Sequence, residues 1–252
     1  MQGNVIRNRI FRHFGVRYHP EHVRAVLKER LNWSSQKPQL RAREQNNKEV
    51  ERWLDDEFPR IVRDVFRRKA HLIFLDEAGF MLTPTVRRTL APRGKTPILD
   101  ALQRHDRISA ISCVTLSPDE EHPGLYFELM PAGLNVSAED IVAFLGELRR
   151  DLPGPWTVVW DRHNIHSRSR LVKAWLATEK DVVLEDLPGY APALNPDEMV
   201  WSWLKYGRLA NLTPKDVVEL RDHLVNELEW AAFDGELVAG FFNHAHLGVR
   251  LE

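Results

Sequence analysis

The chain has 252 residues, 43% of them hydrophobic and 28% charged, and a formal net charge of -1. This mix excludes a disordered polymer, and no apolar run nears the roughly 18–20 residues of a bilayer span, so no membrane partner is expected. The single cysteine, Cys113, excludes an internal disulfide framework and a multi-cysteine zinc site.

Residues 1–70 hold 17 Lys and Arg against 9 Asp and Glu, whereas residues 71–252 hold 18 against 27. Such a split predicts a basic module, suited to a polyanion, joined to an acidic one. The opening MQGNVIRNRIFRHFG is interrupted by basic residues throughout and has no secretory core, so a cytoplasmic location is expected. The pattern predicts two short helices, over 5–13 and 20–31, with Gly15 stopping the first and Pro20 opening the second. The second sets Val23, Val26, Leu27 and Leu31 on one stripe, with Arg24, Lys28 and Arg30 outside it. A Gly-containing turn between two such helices is the pattern of a helix-turn-helix, and equally of a plain helical hairpin. The basic stretch NWSSQKPQLRARE, with Lys37 and Arg41, leads into a charged helix over 48–68, read as a solvated linker. The expected division is 1–45, a partial helix-turn-helix module; 46–70, a linker helix; and 71–252, an α/β domain.

From His71 the texture changes. HLIFLDEAGF reads as an apolar strand ending on two carboxylates, and RISAISCVTLS and GLYFELMP as two further strands. In the first of these Cys113 reads as a small core hydrophobe. SAEDIVAFLGELRRDL is an amphipathic helix with Ser137 as its N-cap. WTVVWD is a strand ending on Asp161, SRLVKAWLA a helix, DVVLEDLP a strand, and NPDEMVWSWLK a helix, with two more helices after it. The order β-β-β-α-β-α-β-α predicts an α/β mixed sheet with an antiparallel portion and helical crossovers.

Several motifs can be set aside. RGKT, Arg93 to Thr96, looks like the end of a phosphate-binding loop but has Thr89 where that loop needs glycine. His163 with His166, and His244 with His246, lack the cysteines or the HExxH helix of a zinc site. Three carboxylates at element ends remain: Asp76, Asp161, and one of the neighbours Asp197 and Glu198. Strand-end carboxylates brought together resist joint ionisation, and a divalent cation with hard oxygen ligands, Mg2+ or Mn2+, resolves the repulsion. Against this, Asn195, Pro196 and Glu198 also make a capping box that needs no catalysis at all. Helical period does not choose between the two neighbours: Asp197 shares a face with Val200, Trp201 and Leu204, and Glu198 with Trp201, Ser202 and Lys205.

FLDEAGF, APRGKTP, WDRHNIH and LPGYAPALNPDEMVWSWLK, in that order, resemble the motifs of mariner-type superfamily transposases, in their bacterial insertion-sequence branch. Upstream, FGVRYHPEHVRAVLKERLNWSSQKPQLRARE resembles the second helix-turn-helix of their DNA-binding region, with its winged tail. The resemblance implies a ribonuclease H-like mixed sheet with flanking helices, preceded by a small all-α helix-turn-helix module, and a DDE superfamily endonuclease. It implies catalytic and metal-binding roles for Asp76, Asp161 and Glu198 with two Mg2+ ions, and a supporting role for His166. It also implies cleavage of transposon ends at terminal inverted repeats and strand transfer into TA-containing double-stranded DNA. A homodimer on DNA and association with the nucleoid follow from the same likeness. Arg93 and Lys95 fall in the family's basic insert; with Arg24, Lys28, Arg30, Lys37 and Arg41 they are the candidate DNA contacts. The chain departs from the family at Arg162, where Asn is usual, and at Asp197, where an apolar residue is usual; 36 residues separate Asp161 from Glu198, slightly more than the family spacing. Two other readings fit the same residues: a non-transposing nuclease of that fold, and a truncated relic that only binds DNA.

Overall fold

The computed structural model describes residues 3–34, 44–102, 106–118, 123–161 and 169–247. Contacts divide the chain into two units, Met1–Ala42 and Arg43–Glu252.

In the first unit, α1 (Gly3–Phe14) ends where Gly15, at φ +71°, returns its N–H to the Phe11 carbonyl at 2.9 Å. That left-handed position favours glycine and closes the last turn. Helix α2 (Pro20–Ala25) starts on His19, whose ring nitrogen accepts from the Glu21 N–H, with Pro20 in the first turn, and runs on as a π turn, Val26–Arg30. Both helices match the sequence expectation. The predicted stripe does not hold to its end: Val23 is buried, but Leu31 is 56% exposed. The wider π turn shifts the helical phase before Leu31 is reached.

The second unit opens with α3 (Asn47–Arg52), a π turn (Trp53–Glu57) and α4 (Phe58–Arg68). This segment corrects the expectation of a solvated linker, because Trp53, Phe58, Ile61 and Val65 are buried in the same cluster as Leu72, Phe74 and Val159. The π turn is the reason the spacing misleads. Five residues of ordinary α-helix would set Trp53 and Phe58 on different faces, whereas the wider turn aligns them, and their rings stack at 5.1 Å. The Trp53 indole N–H donates to the Asp186 carbonyl at 3.0 Å, and Arg60 pairs with Glu185 at 2.6 Å. The charged residues of this helix thus coat one face while its apolar stripe docks on the sheet.

The sheet contains β1 (His71–Met81), β2 (Arg107–Leu116), β3 (Pro123–Leu129), β4 (Trp156–Trp160) and β5 (Val182–Asp186), in the order β3-β2-β1-β4-β5. Strands β1, β2 and β3 are antiparallel, and β1, β4 and β5 parallel. Helices α5 (Ala138–Asp151), α6 (Arg170–Thr178), α7 (Pro196–Trp203), α8 (Val217–Phe233) and α9 (Gly235–His244) complete the element order read from sequence. Side chains alternate across the sheet. Ile73, Leu75, Ile111, Cys113, Val158 and Trp160 face one layer, with Ile141 and Phe144 of α5 and Val172 of α6. Leu72, Phe74, Phe80, Ala110 and Val114 face the other, with α4, α7, α8 and α9. The architecture is a ribonuclease H-like mixed sheet between two helical layers. Among the described residues no helix is long and apolar enough to cross a membrane.

Candidate active site

Asp76 does not close its strand, as the sequence suggested, but sits sixth in the eleven-residue β1. What ends there is one of its partners. The parallel pairing of β1 with β4 stops at Phe74 and Val159, while the antiparallel pairing with β2 continues to Met81 and Arg107. Carrying the parallel register two residues further sets Asp76 beside Asp161, the first residue after β4. Both belong by alternation to the face that α7 covers. Asp76 is therefore held by a strand on one side only, with its other side open where the parallel half of the sheet ends.

The third carboxylate comes from α7. Asn195 caps this helix, its side-chain oxygen accepting from the Asp197 N–H at 3.1 Å. The second half of the expected capping box is replaced: the Asn195 N–H goes to the Pro192 carbonyl at 3.0 Å, across the 3-10 turn Pro192–Leu194. The Glu198 carboxylate is thereby released from the cap and lines an open cleft of ≈ 560 Å³. Asp76, Asp161 and Asn195 line the same cleft, with Glu44, Glu49 and the loop Leu187–Pro192. Tyr190 in that loop holds a left-handed backbone, φ +57°, with its ring largely exposed. Such a conformation is unfavourable for a non-glycine residue and needs its surroundings to hold it.

Asp197 points elsewhere. It has no exposed surface, and both its carboxylate oxygens lie 2.7 Å from the hydroxyl of Ser112, which is also fully buried. The ambiguity between the two neighbours is thus divided in space, with Glu198 in the cleft and Asp197 beneath it.

The electrostatics follow from this crowding. Burial pushes the Asp76 carboxyl well above the usual carboxylate range, and the charges of Glu198, Glu77 and Asp161 push the same way against a backbone hydrogen bond. Burial raises Glu198 too, opposed by Lys205 and reinforced by Asp161. Lys205, which the sequence reading did not single out, lines a neighbouring pocket with Phe80 rather than the cleft itself, yet its charge acts on Glu198. It is half-buried in the π turn Leu204–Arg208 that extends α7, its ammonium 5.2 Å from the centre of the Phe80 ring. Burial lowers its pKa, against the attraction of Glu198 and Asp76. The available signal was its place two helical turns beyond Glu198, on the same face.

Among the described residues, no three His, Cys, Asp or Glu side chains stand grouped to hold one ion. The donor chemistry nonetheless fits Mg2+ or Mn2+ taken pairwise, since Mg2+ keeps several waters and takes one or two carboxylates at a time. Asp76 feels the charge of both Glu198 and Asp161.

The other candidates are placed as follows. Arg24 is exposed and ion-paired with Glu21, and Lys28 and Arg30 are exposed in the π turn after α2. Arg93 and Lys95 are exposed at a turn in the long β1–β2 connection, where the Lys95 N–H meets the Pro92 carbonyl at 2.9 Å and Gly94 takes φ +81°. Positive φ at the third residue of such a turn favours glycine. Lys37, Arg41, Arg162, His163 and His166 lie outside the described residues.

Residues 71–221 match the family model of the DDE superfamily endonucleases, and residues 3–57 that of the winged helix-turn-helix. Among curated proteins no sequence match was found. The fold is similar to that of the Mos1 mariner paired-end complex with Mn: TM-score 0.68 at 18% identity, covering 98% of this chain and 70% of that one. The Mos1 strand transfer complex is similar at TM-score 0.67 and 19% identity, over 95% of this chain and 69% of that one. The catalytic domain of Mos1 mariner transposase gives TM-score 0.54 at 16% identity, over 84% of this chain and 91% of that one.

Proposed function

This chain belongs to the DDE superfamily endonucleases, and from that premise we propose that it is a mariner-type transposase of an insertion sequence. In this reading Asp76, Asp161 and Glu198 are its catalytic carboxylates. The observation that carries the reading is their convergence: three acids from β1, the end of β4 and the start of α7 line one cleft. Structures of similar fold include Mos1 complexes with Mn and with Mg, which supports divalent cations here. Two such ions, when bound, stabilise the attacking and leaving oxygens of an in-line phosphodiester displacement.

The chain's own part is to hold, orient and neutralise. Asp76, Asp161 and Glu198 would hold the ions, since all three line the one cleft. The first turn of α7 favours the ionised form of Glu198 through the helix dipole. Lys205 adds a cation next to the carboxylates, suited to a phosphate oxygen of the DNA. The basic first unit would hold double-stranded DNA chiefly through phosphates, with Arg24, Lys28 and Arg30 of the α2 region as contacts. The terminal inverted repeats of the element are the proposed substrate, TA-containing DNA the target, and a homodimer on DNA the working form.

The test is Mg2+-dependent cleavage of DNA carrying the element's own terminal repeats, comparing wild type with Asp161→Asn and Glu198→Gln. Cleavage at the repeat ends by the wild type alone supports the reading. Equal nicking by all three proteins would sink it, and cleavage indifferent to the repeats would indicate a nuclease that does not transpose.

A further inference from the structure

We propose that the buried Ser112–Asp197 pair is a positioning device that sets the register of α7, so that Glu198 meets the cleft beside Asp76, and that Asp197 is not itself a metal ligand. The inference rests on the metal-dependent reading above.

Ser112 stands directly opposite Asp76 in the antiparallel register of β1 and β2. Opposed residues of such a pair project from the same face with their Cβ atoms roughly 5 Å apart. The Ser112 hydroxyl, next to Asp76, holds the Asp197 carboxylate at 2.7 Å, and Glu198 is the next residue along the helix. One hydroxyl therefore joins the row of the sheet that carries Asp76 to the helical turn that carries Glu198. The opposite end of the Asp197 residue is fixed as well, since its N–H is taken by Asn195.

Apolar packing alone would leave this register loose. Val200, Trp201 and Leu204 of the α7 segment pack in one cluster with Phe80, Ile108 and Ala110, but such contacts are non-directional and tolerate rotation of the helix. A hydrogen bond to a fixed hydroxyl is directional. A carboxyl buried beside Asp76 is also an unfavourable occupant compared with an aliphatic side chain, which points to geometry as its use. Its full burial, and its absence from the residues lining the cleft, separate it from the ligand role of its neighbour.

The experiment measures Mn2+ binding to the full chain by calorimetry, and melting without metal, for six proteins. These are the wild type, Ser112→Ala, Ser112→Thr, Asp197→Asn, Asp197→Leu and Glu198→Gln. Removing the tether should weaken Mn2+ binding by on the order of 10–100-fold, as for groups that orient metal ligands. Ser112→Ala and Asp197→Leu should both show this loss, the latter with undiminished melting temperature because an unfavourably buried carboxyl is gone. Ser112→Thr keeps the hydroxyl and Asp197→Asn keeps the acceptor oxygen, so both should retain most of the binding. If Ser112→Ala does not fold, Asp197→Leu decides alone. Wild-type Mn2+ affinity in Asp197→Leu would overturn the proposal. Loss in Asp197→Asn as complete as in Glu198→Gln would overturn it in another way, by making Asp197 a ligand. A wild type that binds no Mn2+ refutes both readings, whereas binding without DNA cleavage refutes the proposed function and leaves the positioning result standing.

Discussion

Among residues 6–34 one side chain, Val23, is buried, while Phe14, Leu31 and Trp33 are exposed. The second unit instead closes three apolar clusters around its sheet and buries Trp156, Trp160 and Trp201 almost completely. Cohesion in the first unit is local: the His19 cap, the glycine stop, Arg17 over the Phe11 ring at 4.4 Å, and Tyr18 stacked on His22. In the second it comes from residues far apart in sequence. The difference separates two kinds of work. A basic, thinly packed segment can be changed at its surface with little consequence for the rest, whereas the acidic unit spends its packing on holding like charges together.

Four outcomes would break or sharpen that comparison. The largest is expected in the cleft. Asp161→Asn should lower cleavage by on the order of a thousandfold, about 4 kcal/mol of transition-state stabilisation. Its affinity for DNA in a gel-shift assay should stay near wild type; a matching fall in affinity would merge the two functions that the basic and acidic halves divide between them. Next, Trp53→Ala should destabilise the second unit by about 3–5 kcal/mol in chemical denaturation, as for other buried aromatics. A value near zero would return the 46–70 segment to a solvated linker.

The third outcome concerns pH. Asp76 and Glu198 keep their protons to higher pH in the folded chain than in the unfolded one. The folded state therefore binds more protons above the ordinary carboxylate range of about pH 4, and metal-free stability should fall as pH rises through their raised values. A divalent cation binds the ionised forms, so the gain in melting temperature from Mn2+ should be larger at about pH 8 than at about pH 5. The reverse order would remove these carboxylates from the metal site. The smallest effects belong to the first unit. Alanine at Arg24, Lys28 or Arg30 should each reduce the salt slope of DNA binding by about 1, less for Arg24 because Glu21 already pairs with it. Cleavage of pre-bound DNA should be unchanged, and a large loss there would show that these residues reach the chemistry.

Legibility in the sequence followed how local each signal is. The helices of the first unit, the strand and helix order of the second and the Ser137 cap could all be read, because caps, breakers and short-range period act within one element. The charged helix over 48–68 was misread because its apolar stripe depends on a π turn that no simple period describes. Asp76 was placed at a strand end because the apolar run stops there, although β1 goes on with small and polar residues paired to β2. Lys205 was visible as a companion of Glu198 on one helical face, but only the fold, which half-buries it near the carboxylates, marks it out from any solvated lysine.

The sequence by itself therefore determined the class of fold, the basic and acidic halves, and the three acids worth watching, since composition and periodicity carry that much. Helical period left open which acid of the neighbouring pair enters the cleft; the family resemblance pointed to Glu198, and only the tertiary structure supplies the physical reason. Asp197 and Glu198 are one helical step apart, and the helix's own period serves both. The choice lies in a serine 85 residues away in sequence, whose hydroxyl takes one carboxylate into the interior and leaves the other beside Asp76.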